Sequence, residues 1–142
     1  MNNFSAGVKS VLVVEDEPEI SLVCSRILTS KKLEIDIAHE GEMAEKMLRR
    51  KDYTLCIIDL KVLMTKDKQL YKYMNEKYLK LLNEAIFTVG GVLADDSKVF
   101  MDQTARLFLH KPFAPESLKE IVRKALQQVD NYDYRENMAA YS

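Results

Sequence analysis

Leu55-Cys56-Ile57-Ile58-Asp59-Leu60 places four apolar residues directly before a carboxylate. A short apolar run bounded by polar residues reads as a strand buried on both faces, the kind found in parallel sheets. Asp59 then stands where that strand leaves the sheet, at its carboxyl end. In open parallel α/β sheets that edge holds the ligand crevice. Read alone, Asp59 is either the starter of a turn or helix or a chemical group.

Working outward, the same grammar repeats. Ser10–Val14 (SVLVV) is a β-branched strand ending in Glu15-Asp16-Glu17-Pro18, and a proline with acids around it marks a helix start. A helix is expected from Pro18 to about Thr29, with Ile20, Val23, Cys24, Ile27 and Leu28 on one face. Leu33–Ala38 alternates as a half-exposed strand, and a helix over Glu42–Arg50 buries Ala44, Met47 and Leu48. Tyr53–Ile58 is the third strand. Leu60–Asp67 reads as a loop, and Asp67–Asn83 as a helix carried by Leu70, Met74, Tyr78, Leu81 and Leu82. Ala85–Val89 is the fourth strand, closed by Gly90-Gly91. A short helix over Ser97–Gln103, a fifth strand over Arg106–Leu109 and a last helix from Pro115 to Val129 complete the pattern. Residues 1–8 read as a lead-in, 9–129 as one domain, and 130–142 as a polar tail, mobile or weakly docked. Strand–helix alternation of this kind implies a doubly wound parallel sheet with helices on both faces.

Composition narrows the function classes. The chain has 142 residues, 47% of them hydrophobic, enough for one domain with a real core. Its formal net charge of −1 gives no electrostatic reason to expect nucleic acid or an anionic membrane as partner. Cys24 and Cys56 form no CxxC pair and read as buried free thiols, and with only two histidines there is no Cys/His metal spacing. No signal peptide and no apolar stretch of membrane-spanning length is present, so a cytoplasmic protein is expected.

The polar residues at the strand ends carry the chemistry. Glu15 and Asp16 follow the first strand, Asp59 the third; Thr88 lies near the end of the fourth, and Lys111-Pro112 follows the fifth. In a doubly wound sheet these ends share one edge. Crowded carboxylates repel unless a cation or proton intervenes, and their oxygens suit a hard divalent ion such as Mg²⁺. A lysine and a hydroxyl facing that ion suit a phosphoryl group, with Asp59 as nucleophile.

Val13-Val14-Glu15-Asp16-Glu17-Pro18, Ile57-Ile58-Asp59, Thr88 and Lys111-Pro112-Phe113 together resemble the receiver domain of two-component response regulators, over about Lys9–Val129. The resemblance implies a flavodoxin-like (CheY-like) five-stranded parallel sheet of order 2-1-3-4-5. It implies that Asp59 accepts a phosphoryl group from a phosphohistidine on a histidine kinase or histidine phosphotransfer protein. It further implies Mg²⁺ held by Asp16, Asp59 and the backbone carbonyl of Lys61, with Glu15 acting through water. Lys111 would pair with Asp59 and then with its phosphate. Thr88 would move to the phosphate, with Phe108 as the switch aromatic behind it. The short helix, the fifth strand and the last helix would form the two-state surface read by a downstream protein or an attached output domain.

Two departures stand out. Leu60–Asp67 lacks the proline and glycine that the family carries after the phosphoacceptor, so a different loop shape is expected there. Val89 replaces the usual small residue after the switch hydroxyl, which is expected to narrow access to the acyl phosphate. Thr88-Val89-Gly90-Gly91, with Phe100 and Lys111-Pro112-Phe113, is similar to receivers attached to hybrid histidine kinases. Two other readings compete: an unphosphorylated interaction module on the same fold, and an aspartyl-nucleophile hydrolase. The second would want a DxD pair after the first strand, where Glu15-Asp16 stands.

Overall fold

The computed structural model describes the backbone of residues 7–140 and side chains through residue 130; most of the expected lead-in, residues 1–6, and the last two residues of the tail lie outside it. The order is β1 (Lys9–Val14), α1 (Pro18–Leu28), β2 (Leu33–Ala38), α2 (Gly41–Arg50), β3 (Leu55–Asp59), α3 (Leu60–Lys77), α4 (Leu79–Glu84), β4 (Ile86–Val89), α5 (Asp95–Asp102), β5 (Leu107–His110) and α6 (Pro115–Ala140). The five strands form one sheet of order β2-β1-β3-β4-β5, every pair parallel. The chain therefore has the flavodoxin-like topology.

Side chains alternate across a strand, so each strand feeds two cores. Leu12, Val14, Cys56, Ile58, Phe87 and Val89 face one side, where Ala44 and Leu48 of α2, Leu63, Leu70 and Met74 of α3, Leu82 of α4 and Phe100 of α5 cover them. Val11, Val13, Leu55, Ile57, Ile86 and Leu109 face the other, against Cys24 and Leu28 of α1 and Leu118, Val122 and Ala125 of α6. All five β3 residues are buried, as a central strand of a parallel sheet requires. Burying each large apolar side chain contributes roughly 1.5–3 kcal/mol, and this double core fixes the strand ends in space. Cys24 and Cys56 are free and buried. Among the described residues, no helix is long and apolar enough to cross a membrane.

Four local expectations change. The segment after Asp59 is not a loop: α3 begins at once, and Leu60, Val62 and Leu63 are buried. With no proline or glycine to stop it, the apolar run enters the core as a helical turn. That turn ends at Thr65 (φ −74°, ψ 164°), after which Lys66, Asp67 and Lys68 take φ of 52°, 60° and 62°. Three consecutive non-glycine residues in the left-handed region are strained, at about 1–2 kcal/mol each. The helix expected over Asp67–Asn83 is also interrupted at Tyr78 (φ −137°), which separates α3 from α4. Finally, α6 does not stop at Val129: its backbone stays helical to Ala140, because no proline or glycine follows Pro115. Asp130, at the head of the expected tail, pairs with Lys9 at 2.8 Å. On α1, Val23 is exposed rather than part of the buried face, which Ser21, Cys24 and Leu28 provide.

Candidate functional site

The alternation that builds the α1/α6 core also builds the site. Continuing Val11 and Val13 by two residues reaches Glu15. Leu55 and Ile57 lead to Asp59, Ile86 leads to Thr88, and Leu107 and Leu109 lead to Lys111. All four therefore leave the sheet toward the same side of its carboxyl edge. Asp59 and Thr88 are register partners across β3 and β4. Both are buried, as is Glu15.

Lys111 is the hub. Its Nζ lies 2.7 Å from Oε1 of Glu15, 3.3 Å from Oδ2 of Asp59 and 3.6 Å from Oε1 of Glu17. Its backbone N–H donates to the Val89 carbonyl at 2.7 Å, and the Lys111–Pro112 peptide is cis. The lysine stem passes over Gly90, where a Cβ would stand 3.2 Å from its Cδ and 3.3 Å from its Cβ. Gly90 is thus the residue whose missing side chain lets the ammonium reach the acids. Nothing in the strand pattern alone distinguishes this role from that of an ordinary strand-end glycine.

The carboxylates are held with similar care. Oε2 of Glu15 accepts the Glu17 N–H at 3.1 Å, and the Glu15 backbone N–H donates to the Ala38 carbonyl at 3.0 Å. Oδ1 of Asp59 accepts the Lys61 N–H at 3.0 Å, and Oδ2 faces Lys111. The Lys61 ammonium lies 3.6 Å from Oδ2 of Asp16 at the exposed rim. Burial pushes Glu15 up to about 7; the Lys111 hydrogen bond opposes that rise and the Asp59 charge adds to it. Burial also works against a charged Lys111, but its hydrogen bond to Glu15 and the Asp59 charge outweigh it and hold the lysine above its ordinary value.

Glu15, Asp16, Glu17 and Asp59 each offer a carboxylate oxygen, all within 4.8 Å of one another. This all-oxygen, anionic set fits a hard divalent cation. Glu17 was not singled out by the sequence reading; its place directly before Pro18 made it look like a helix-start acid. Above the cluster, a cleft of about 490 Å³ is lined by Glu17, Ile20, Asp59, Lys61, Gly90 and Lys111, among others.

Thr88 is buried beside Asp59 as expected. Phe108 packs in an aromatic group on the opposite face of the sheet, 5.7 Å from Phe87 and 6.4 Å from Phe100 between ring centroids. Phe100 in turn meets Tyr71 edge-on at 5.7 Å, and Arg106 lies over its ring at 4.8 Å. Val89 does not line the cleft: it is buried in the α2–α5 core, and Gly90 and Gly91 stand at the mouth. His39 and His110 are exposed, as expected of turn and strand-end residues.

A family model described as the response regulator receiver domain matches residues 11–123. The response regulator GtcR of Aneurinibacillus migulanus is 28% identical over 129 residues, which are 90% of this chain and 51% of that protein. The response regulator protein PilR of Pseudomonas aeruginosa is 28% identical over 119 residues, 84% of this chain and 26% of that one. The chain thus spans about half or less of these relatives. Among solved structures, NtrX from Brucella abortus superposes with a TM-score of 0.76 at 19% identity, covering 92% of this chain and 29% of that one. A CheY-like receiver domain protein from Methanospirillum hungatei gives 0.70 at 19% identity, covering 88% and 98%. The REC domain of AraT from Geobacillus stearothermophilus gives 0.69 at 23%, covering 89% and 98%.

Proposed function

The chain belongs to the response regulator receiver domain family, and from that premise we propose that Asp59 is its phosphoryl acceptor. The observation that carries the reading is the meeting of a buried Asp59 with Lys111 at 3.3 Å beside an acidic cluster on one sheet edge. In the reaction, the N–P bond of a phosphohistidine breaks as an Asp59 carboxylate oxygen bonds to phosphorus. The bonding electrons leave with the imidazole nitrogen, which takes up a proton. Lys111, already charged, neutralises the incoming phosphoryl oxygens.

Asp16 and Asp59, with the Lys61 carbonyl, would hold Mg²⁺, and Glu15 would act on it through water. When bound, that ion supplies charge neutralisation to the phosphoryl group. Thr88 would donate its hydroxyl to the phosphate, a reading its register with Asp59 supports. We read Phe108 as moving with Thr88 only by way of the aromatic group it packs in. The functional unit is residues 9–129; it acts as a signalling domain rather than a turnover enzyme and works in the cytoplasm. Its partners are a histidine kinase or phosphotransfer protein and a downstream target or attached output domain, such as the greater length of the relatives suggests.

Incubation with acetyl phosphate and Mg²⁺, followed by intact-mass measurement, tests this. The parent protein gains the mass of one phosphoryl group and Asp59→Asn does not. Equal labelling of both would remove Asp59 from the role.

A further inference from the structure

Asp59 also caps a helix. It is the N-cap of α3: its backbone is extended (φ −64°, ψ 121°) and its Oδ1 accepts the Lys61 N–H at 3.0 Å. A capping oxygen satisfies a donor that the first turn of a helix leaves open. The turn it starts is short. After Met64 the chain turns extended at Thr65, then left-handed through Lys66, Asp67 and Lys68, none of them glycine. Side chains resist that conformation, so the segment persists only while its two ends are held.

Both ends are held in different ways. Inward, Leu60, Val62 and Leu63 are buried. Beyond the hinge, Lys68 Nζ lies 3.5 Å from Oδ2 of Asp96 on α5, Gln69 donates to Oε2 of Glu45 on α2 at 3.2 Å, and Leu70 is buried. Thr65, Lys66 and Asp67 between them are exposed. A cavity of about 110 Å³, lined by Asp16, His39, Glu45, Val62, Lys66 and Gln69 among others, lies between the hinge and the start of α2. It gives the hinge room to rearrange without unpacking the core.

We propose that the free Asp59 carboxylate is a latch on this left-handed hinge, and that phosphorylation of Asp59 releases it. The inference rests on the phosphoacceptor reading above. In the acyl phosphate, one Asp59 oxygen is bonded to phosphorus and the other is a neutral carbonyl. A carboxylate caps a helix well and an amide oxygen about as well, whereas the carbonyl of an acyl phosphate, a mixed anhydride, is a poorer acceptor than either, so the cap on Lys61 weakens as Lys111 follows the phosphoryl charge. The first turn of α3 then loosens and Thr65–Lys68 leaves the left-handed region. The surface that changes is the α2–α3 face at Lys66 and Gln69.

Amide hydrogen exchange on the full chain, followed by NMR, separates the parts. Asp59→Asn keeps a capping oxygen and cannot form the acyl phosphate; Asp59→Ala removes the oxygen. The account expects exchange at Lys61, Val62 and Leu63 to rise roughly tenfold in Asp59→Ala, about what loss of a good cap gives. Asp59→Asn resembles the unmodified chain, and β1 amides stay protected in both. Protein treated with acetyl phosphate and Mg²⁺, its added mass verified, behaves like the alanine variant. Asp67→Gly, which accommodates left-handed backbone, shrinks the acceleration on phosphorylation. Equal protection in the asparagine and alanine variants would overturn the latch. So would a phosphorylated chain with unchanged α3 amides, its phosphate having taken over the Lys61 N–H; the phosphoacceptor reading would survive that result. A chain that gains no mass would overturn both.

Discussion

The chain leaves the sheet differently at β5 and at β3. After β5, Lys111 is fixed from three directions: its N–H on the Val89 carbonyl, its stem over Gly90, its ammonium among Glu15, Glu17 and Asp59. After β3, the chain goes straight into a helical turn capped by the very carboxylate that faces Lys111, and then through a strained, exposed hinge. One exit is a charge clamp set by burial; the other is held at its start by one side-chain hydrogen bond and by packing, and beyond the hinge by exposed polar contacts. A rigid electrostatic centre next to a strained backbone is an arrangement in which a change of charge has somewhere to go.

The clamp should be the costlier region to break. Lys111→Met leaves Glu15 and Asp59 buried without their cation, and unfolding measurements should show a loss of about 3 kcal/mol. An unchanged midpoint would mean that the acids relax into water and that the clamp is no clamp. Gly90→Ala sharpens the same point: its Cβ meets the lysine stem at 3.2–3.3 Å. The stem has to give by a few tenths of an ångström, for an expected loss of about 1 kcal/mol and slower labelling of Asp59 by acetyl phosphate.

The hinge should respond with the opposite sign. Asp67→Gly removes left-handed strain at φ 60° and adds freedom to the unfolded chain, for a net gain of about 0.5–1 kcal/mol in denaturant titration. Destabilisation would show that the hinge is not strained.

The smallest effect lies away from both exits, where Lys51 and Tyr53 hydrogen-bond Asp36 at 2.9 and 2.8 Å. Burial raises the Asp36 pKa, but those hydrogen bonds more than offset it and the net shift is downward. A depressed carboxyl contributes stability above its unfolded pKa and loses it as pH falls through the folded value. The destabilisation caused by Lys51→Met should therefore shrink once the pH drops below the ordinary aspartate range, as thermal melts across acid pH would reveal.

The same two exits explain what the sequence could and could not disclose. Glu15, Asp59, Thr88 and Lys111 were legible because each ends or nearly ends an apolar run, and two-residue alternation converts that position into a shared direction. Both cores follow from the same periodicity, whereas the sheet order rests on the resemblance to receiver domains. The start of α3 was not legible. Leu60-Lys61-Val62-Leu63-Met64 carries no capping residue of its own, because its cap is Asp59, already assigned to chemistry. Burial of Leu60, Val62 and Leu63 against α2 and β3 decided the conformation, and that is tertiary information. Glu17 was hidden for a related reason: an acid before a proline suits a helix start, and only the folded site brings it to Lys111. Phe108 could be picked out only by its family-like spacing before Lys111; its packing with Phe87 and Phe100 is tertiary information.

The central claim concerns one oxygen on one residue. Treating the phosphorylated protein with borohydride reduces an aspartyl phosphate to homoserine, which peptide mass mapping locates. The account predicts homoserine at position 59 and at no other acid of the cluster. Conversion at Asp16, or none in protein that has gained the phosphoryl mass, would contradict it.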